Sequence, residues 1–272
     1  MYRTVLIALA VLLQLPVAAL PAGRNMCLSC HRPHHSERGS CIGCHRGDGR
    51  TDRKEIAHHD LIAGRYAHFT LKESPVVARG RKLVAGLACR RCHVYEKKGN
   101  RLAADLGSLV RNVAPQAISD SIRSPVSFMP NFHLDEIQIG PLVNAILAGA
   151  NAAEGKGQEI PQVVHFADEG RREENIFIRR CGPCHRVLSE PFGGLGAGDI
   201  GPNLSGLFSV FYPKTYRDGG RWSRDALQKW LENPRQSRLA ARMQPVRLTT
   251  GEFDLLLLTL RIDSANGLAD VK

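Results

Sequence analysis

Four times in this chain, two cysteines stand three positions apart with a histidine directly behind them. The sets are Cys27, Cys30 and His31; Cys41, Cys44 and His45; Cys89, Cys92 and His93; and Cys181, Cys184 and His185. All eight cysteines fall in these pairs, and only 11 of the 272 residues are histidine. Chance would put a histidine behind every pair on the order of one time in a few hundred thousand. On one helical turn residues i and i+3 share a face, so two thiols can reach the two vinyl groups of one porphyrin. The next residue then brings an imidazole nitrogen under the iron. CxxCH is therefore a site of covalent haem attachment, and its fourfold occurrence predicts four haem c groups.

Three other uses of paired cysteines explain less. Structural disulfides suit an exported chain but leave the histidines without a role. Zinc suits the double pair at 27–44, whereas the pairs at 89 and 181 lack a second pair nearby. The tetrad CGPC at 181–184 matches thiol exchangers, yet it follows the helical stretch EENIFIRR rather than a strand, and the other three sites have unrelated fillers. Residues 196–201, GAGDIG, satisfy GxGxxG without a preceding strand or a βαβ setting, and read as a flexible loop.

The first 22 residues carry one basic side chain, Arg3, then an apolar run, then small residues at Ala18, Ala19 and Ala22. That is the layout of a signal peptide, and it predicts export to the periplasm. The competing reading, an uncleaved anchor, has to accommodate Gln14 and Pro16 in a run at the short end for spanning a bilayer. After leader cleavage no stable membrane span is expected. The formal net charge of +11 becomes +10 without Arg3, and about +2 once the propionates of four haems ionise. With 6% aromatic residues and no base-reading motif, the basic balance does not indicate nucleic acid; basic patches instead suit an acidic redox partner.

The spacing divides the mature chain. Residues 23–74 hold two CxxCH sites 14 residues apart and seven histidines, too little chain for two apolar cores, so this module is expected to be loop-rich with the haems as its core. From Ser74 and Pro75, an N-cap followed by proline at the first helical position, a helix is predicted through Val76, Val77, Leu83, Val84 and Leu87 into the third CxxCH. A short helix over 117–123 and a longer one carrying Ile139, Leu142, Val143, Ile146 and Leu147 at helical spacing complete a domain over 75–150. Residues 151–162 read as a linker. A final domain over 163–272 repeats the order: a helix to Arg180, CxxCH, a glycine-rich loop, a helix from Ser223 to Asn233 halted by Pro234, and a closing helix opened by a Thr249–Glu252 capping box. The closing helix is expected to pack on the helix before Cys181. The fold class is mainly α.

The residues RRCHVY and SFMPNFHLDEI in the middle domain, and RRCGPCHRV, GPNLSGLF, DALQKWLENPR and ARMQPVRLTTGEF in the last, resemble class I cytochrome c domains, twice in tandem, over roughly 76–149 and 163–264. The resemblance implies a distal methionine ligand just before the closing helix of each domain, which falls on Met129 and Met243, with His133 as the fallback at the third haem. It also implies a loop proline whose carbonyl steadies the proximal imidazole. Pro202 matches, whereas the middle domain has Ala103, Ala104, Asp105 and Leu106 there, so a looser His93 is expected. The N-terminal module resembles small multihaem cytochromes, which implies crossed histidine ligands: His34 or His35 for the second haem and His58 or His59 for the first. His68 reads as a surface or packing histidine.

Together these imply a tetrahaem carrier of single electrons between respiratory redox partners, among them a membrane quinol-oxidising complex, in the general setting of anaerobic respiration. The alternatives are a haem reductase or peroxidase acting on a small substrate, and a cytochrome c subunit of a membrane oxidoreductase. A sixth ligand available for every iron disfavours the open site that a catalyst needs.

Overall fold

The computed structural model describes residues 25–109, 113–126, 128–152 and 174–262, the side chains of 151 and 152 excepted. The leader lies outside the described residues, as does the part of the expected linker from 153 to 162. The fold is mainly α, and among the described residues no helix is long and apolar enough to cross a membrane.

The chain forms two compact units, one ending at Leu61 and one beginning at Ile62. The change of texture expected at Ser74 therefore comes later than the structural boundary. Ile62, Tyr66 and Ala67 are buried in one cluster with Ile139, Leu142 and Ile146, so their apolar surface ties this stretch to the helices that follow it.

In the first unit two short helices, α1 (Cys41–His45) and α2 (Lys54–Ala57), join loops and single 3₁₀ turns. None of its described apolar side chains is buried, and Leu28, Ile42, Ile56 and Leu61 are exposed. Backbone bonds do the folding instead: Met26 N–H donates to the Gly49 carbonyl at 2.8 Å and Asp48 N–H to the Ala57 carbonyl at 3.0 Å.

The second unit has two apolar clusters in sequence. The first is built by α3 (Pro75–Gly86), α4 (Pro115–Arg123) and α5 (Glu136–Ala152). Ser74 caps α3 by accepting from the Val77 N–H, with Pro75 in the first turn, as its sequence predicts. The helix does not run into the third CxxCH, however. It stops at Gly86, and Ala88 takes left-handed backbone (φ 54°) that turns the chain into a separate 3₁₀ turn at Cys89–Arg91. At its far end α5 extends to Ala152, two residues into the expected linker.

The second cluster combines α6 (Ile176–Arg180), α7 (Arg224–Glu232), α8 (Pro234–Ser237) and α9 (Thr250–Leu260). Pro234 does more than halt α7: Asn233 caps the next turn, with proline at its first position. The Thr249–Glu252 capping box is present, and Phe253, Leu256 and Leu260 of α9 pack with Ile176 and Phe177 of α6. A two-stranded antiparallel hairpin, β1 (Val187–Ser189) with β2 (Gly193–Leu195), pairs Val187 with Leu195. Its strands are too short to leave a periodic signal in the sequence.

Candidate functional site

Each CxxCH motif folds as a single helical turn. His31, His93 and His185 donate their backbone N–H to the carbonyls of Cys27, Cys89 and Cys181 at 3.0, 3.0 and 2.9 Å, and Cys41–His45 is the whole of α1. None of the eight thiols is joined in a disulfide. In the second unit burial shapes the thiols: desolvation pushes Cys89 up to about 11, with Cys92 adding to the rise, and pushes Cys181 up to about 11, with Cys184 adding. A thiol held protonated in apolar surroundings is a poor metal ligand. Among the described residues no three His, Cys, Asp or Glu side chains gather. Haem iron needs at most two protein ligands, because the porphyrin supplies the other four.

The two CxxCH imidazoles of the second unit are held alike. His93 Nδ1 lies 2.8 Å from the Ala104 carbonyl and His185 Nδ1 lies 2.8 Å from the Pro202 carbonyl. A carbonyl only accepts, so Nδ1 carries the proton and Nε2 presents its lone pair to a metal. Burial also lowers the pKa of His93, opposed by the Ala104 bond and by Asp105, favouring the neutral ring that ligation needs. The surrounding frame matches as well. Ala103 N–H bonds the Cys92 carbonyl and Leu106 N–H the Val94 carbonyl, just as Gly201 N–H bonds the Cys184 carbonyl and Leu204 N–H the Arg186 carbonyl. This corrects the looser His93 expected from the missing proline. The oxygen belongs to the main chain, so alanine supplies it equally well once the loop is pinned.

The segment read as a flexible loop at 196–201 is also corrected. Ala197 and Gly198 N–H groups bond the Gly182 carbonyl at 3.0 and 2.9 Å, and a Cβ at Gly201 would stand on the His185 ring. The glycines let backbone lie flat against the CGPCH turn and its imidazole.

Met129 and Cys89 both pack against the first cluster, and Met243 packs against the second, which includes Cys181. His133 is exposed, in left-handed backbone, with its N–H bonded to Asn131 Oδ1. Met243 has a partner that sequence reasoning missed: Trp230 Nε1–H donates to its sulfur at 3.1 Å. A thioether sulfur has two lone pairs, so one stays available to iron. Trp230 is braced edge-on by Trp222, at 5.5 Å between ring centroids. The available signal was that both tryptophans of the chain lie within 21 residues before Met243.

In the first unit the histidines pair across the two motifs' flanks. His58 faces His31 with ring centroids 6.0 Å apart, and His34 faces His45 at 5.6 Å, their Nε2 atoms 3.4 Å apart. That spacing is close enough for the two imidazoles to serve one metal, were one bound there. His35 and His59 turn to carboxylates instead, Glu37 at 3.5 Å and Asp60 at 3.4 Å. His68 is half-buried in a 3₁₀ turn of the second unit.

One-turn CxxCH sites, carbonyl-oriented imidazoles and helical cores define a class, the carriers of covalently attached haem. No family profile and no solved structure matches the chain. A stretch of 78 residues, 25% of this chain, is 33% identical to cytochrome c from Stellaria longipes and covers 67% of that protein. The chain belongs to the cytochrome c family, whose general role is electron transfer through haem c.

Proposed function

We propose that the chain is a periplasmic tetrahaem cytochrome c that passes single electrons between respiratory partners. One haem attaches at each of the pairs Cys27/Cys30, Cys41/Cys44, Cys89/Cys92 and Cys181/Cys184. His31, His45, His93 and His185 are the proximal ligands. His58 and His34 complete the first two irons, and Met129 and Met243 the third and fourth. Residues 75–150 and 163–272 are the two class I haem domains. The observation that carries the reading is the repeated geometry of the second unit, two CxxCH imidazoles each turned by a main-chain carbonyl at 2.8 Å.

Haem iron supplies a one-electron Fe(III)/Fe(II) couple. The residues set its direction. Thioether sulfur is a weaker donor than imidazole and favours reduced iron, so electrons received by the bis-histidine pair run downhill to the two histidine–methionine sites. Export follows from the leader, and the basic surface suits an acidic redox partner.

Mass measurement of the exported protein, combined with low-temperature EPR, tests this. The expected result is a polypeptide carrying four haem masses, with two bis-imidazole and two thioether-ligated low-spin irons. A bare polypeptide mass without Soret absorption overturns it. Midpoint potentials with the two methionine sites lowest overturn the direction of flow.

A further inference from the structure

Within the second unit, the third and fourth attachment turns meet through one short loop, residues 202–206. Pro202 holds His185, as described. The next residue, Asn203, is engaged on every side. Its Oδ1 accepts from the Ser205 N–H at 3.0 Å, and its Nδ2 donates to the Phe128 carbonyl at 2.9 Å. Its own carbonyl accepts from Arg91 Nη1 and from Tyr212 Oη, each at 3.2 Å. Arg91 lies inside the Cys89–His93 turn and Phe128 directly precedes Met129. Residue 203 thus meets the Cys89–His93 turn through its main-chain carbonyl and the stretch before Met129 through its asparagine side chain.

Further contacts close the joint. Ser205, fully buried, accepts from the Leu188 N–H at 2.7 Å. Gly206 has left-handed backbone (φ 73°), and a Cβ there would stand 2.6 Å from the Arg91 carbonyl oxygen. The Phe128 ring lies against Gly194 of β2, in the space a side chain there would take. Part-buried hydrogen bonds from several elements onto one residue favour one arrangement of those elements.

We propose that Asn203 is a positioning residue that locks the two C-terminal haem sites into one rigid body and so sets the spacing across which they exchange an electron. The inference rests on the tetrahaem reading. The exchange makes and breaks no bond: one electron leaves reduced iron at one site and arrives on oxidised iron at the other.

The test is Asn203→Leu in the haem-loaded full chain, read by NMR exchange spectroscopy on the half-reduced protein. The expected result is electron exchange between the third and fourth haems slowed roughly two- to thirtyfold, with a shifted Met129 methyl resonance and faster amide hydrogen exchange at Ser205, while the mass still includes four haems. Arg91→Gln, which removes the donor on the opposite side, produces the same changes. The double variant exceeds either single, because Asn203→Leu removes the side-chain bonds to Phe128 and Ser205 and leaves the main-chain carbonyl that Arg91 reaches. If Asn203→Leu fails to fold, Arg91→Gln carries the test. An unchanged exchange rate and unchanged methyl resonances in either fully loaded variant overturn the clasp and leave the tetrahaem reading standing. Wild-type peptides around Cys89 or Cys181 that lack haem mass overturn both.

Discussion

The described part of the first unit, residues 25–61, buries no apolar side chain, whereas the second unit gathers two clusters with Phe177, Ile139 and Val143 wholly inside. Both present CxxCH turns, but they reach them differently. In the second unit the protein core holds each turn, and the imidazole is oriented by a carbonyl before any cofactor arrives. In the first, the histidines face one another with ring centroids 6.0 and 5.6 Å apart, and on the proposed reading the haems would supply the missing interior. The CxxCH turn is common to both units; preorganisation belongs to one.

The largest effect separates the units outright. Replacing all four N-terminal cysteines by serine is expected to abolish amide hydrogen-exchange protection across residues 25–61, since binding free energy is folding free energy where no core exists. The helices of the second unit should keep theirs. Retained protection in the first unit would break the comparison.

A core deletion sharpens it from the other side. Phe177→Ala empties a fully buried position and should cost about 3–5 kcal/mol, read as a lower denaturation midpoint at unchanged haem content. The described first unit has no equivalent side chain to delete.

Smaller effects compare the two halves of the second unit. Trp230→Phe removes the N–H that draws density from the Met243 sulfur. Losing a hydrogen bond worth about 1 kcal/mol should lower the fourth haem's midpoint potential by about 40 mV and leave the third unmoved. A potentiometric titration in which both move, or neither, would remove that role for Trp230.

Pro202→Ala should do least. The carbonyl remains, as Ala104 demonstrates at the third site, so the potential and ligation of the fourth haem are expected to stay unchanged. Stability falls by about 0.4–1 kcal/mol, through the freer unfolded chain. A displaced His185, visible as a changed EPR signal, would show that the two loops are not equivalent after all.

Much of the site was legible because it is local. The Ser74 cap, the Thr249–Glu252 box and the helical turn of each CxxCH depend on residues within four positions of one another. Contacts over longer stretches were misread. A missing proline suggested a loose His93, although the oxygen that matters is main chain. A glycine-rich run suggested mobility, although its backbone lies against the CGPCH turn. Trp230, thirteen residues from Met243 and on another element, carried no motif.

By itself the sequence determined where the paired thiols and their histidines stand and in what order, because CxxCH places its three reactive groups within one turn whatever surrounds it. The tertiary structure decided which partner each of them meets: His34 over His35, His58 over His59, the carbonyls of Ala104 and Pro202, the indole of Trp230 and the clasp at Asn203. Those choices bring together groups from 11 to 75 residues apart. Such approaches come from burial and from backbone bonds that pin the loops, not from any pattern that neighbouring residues carry.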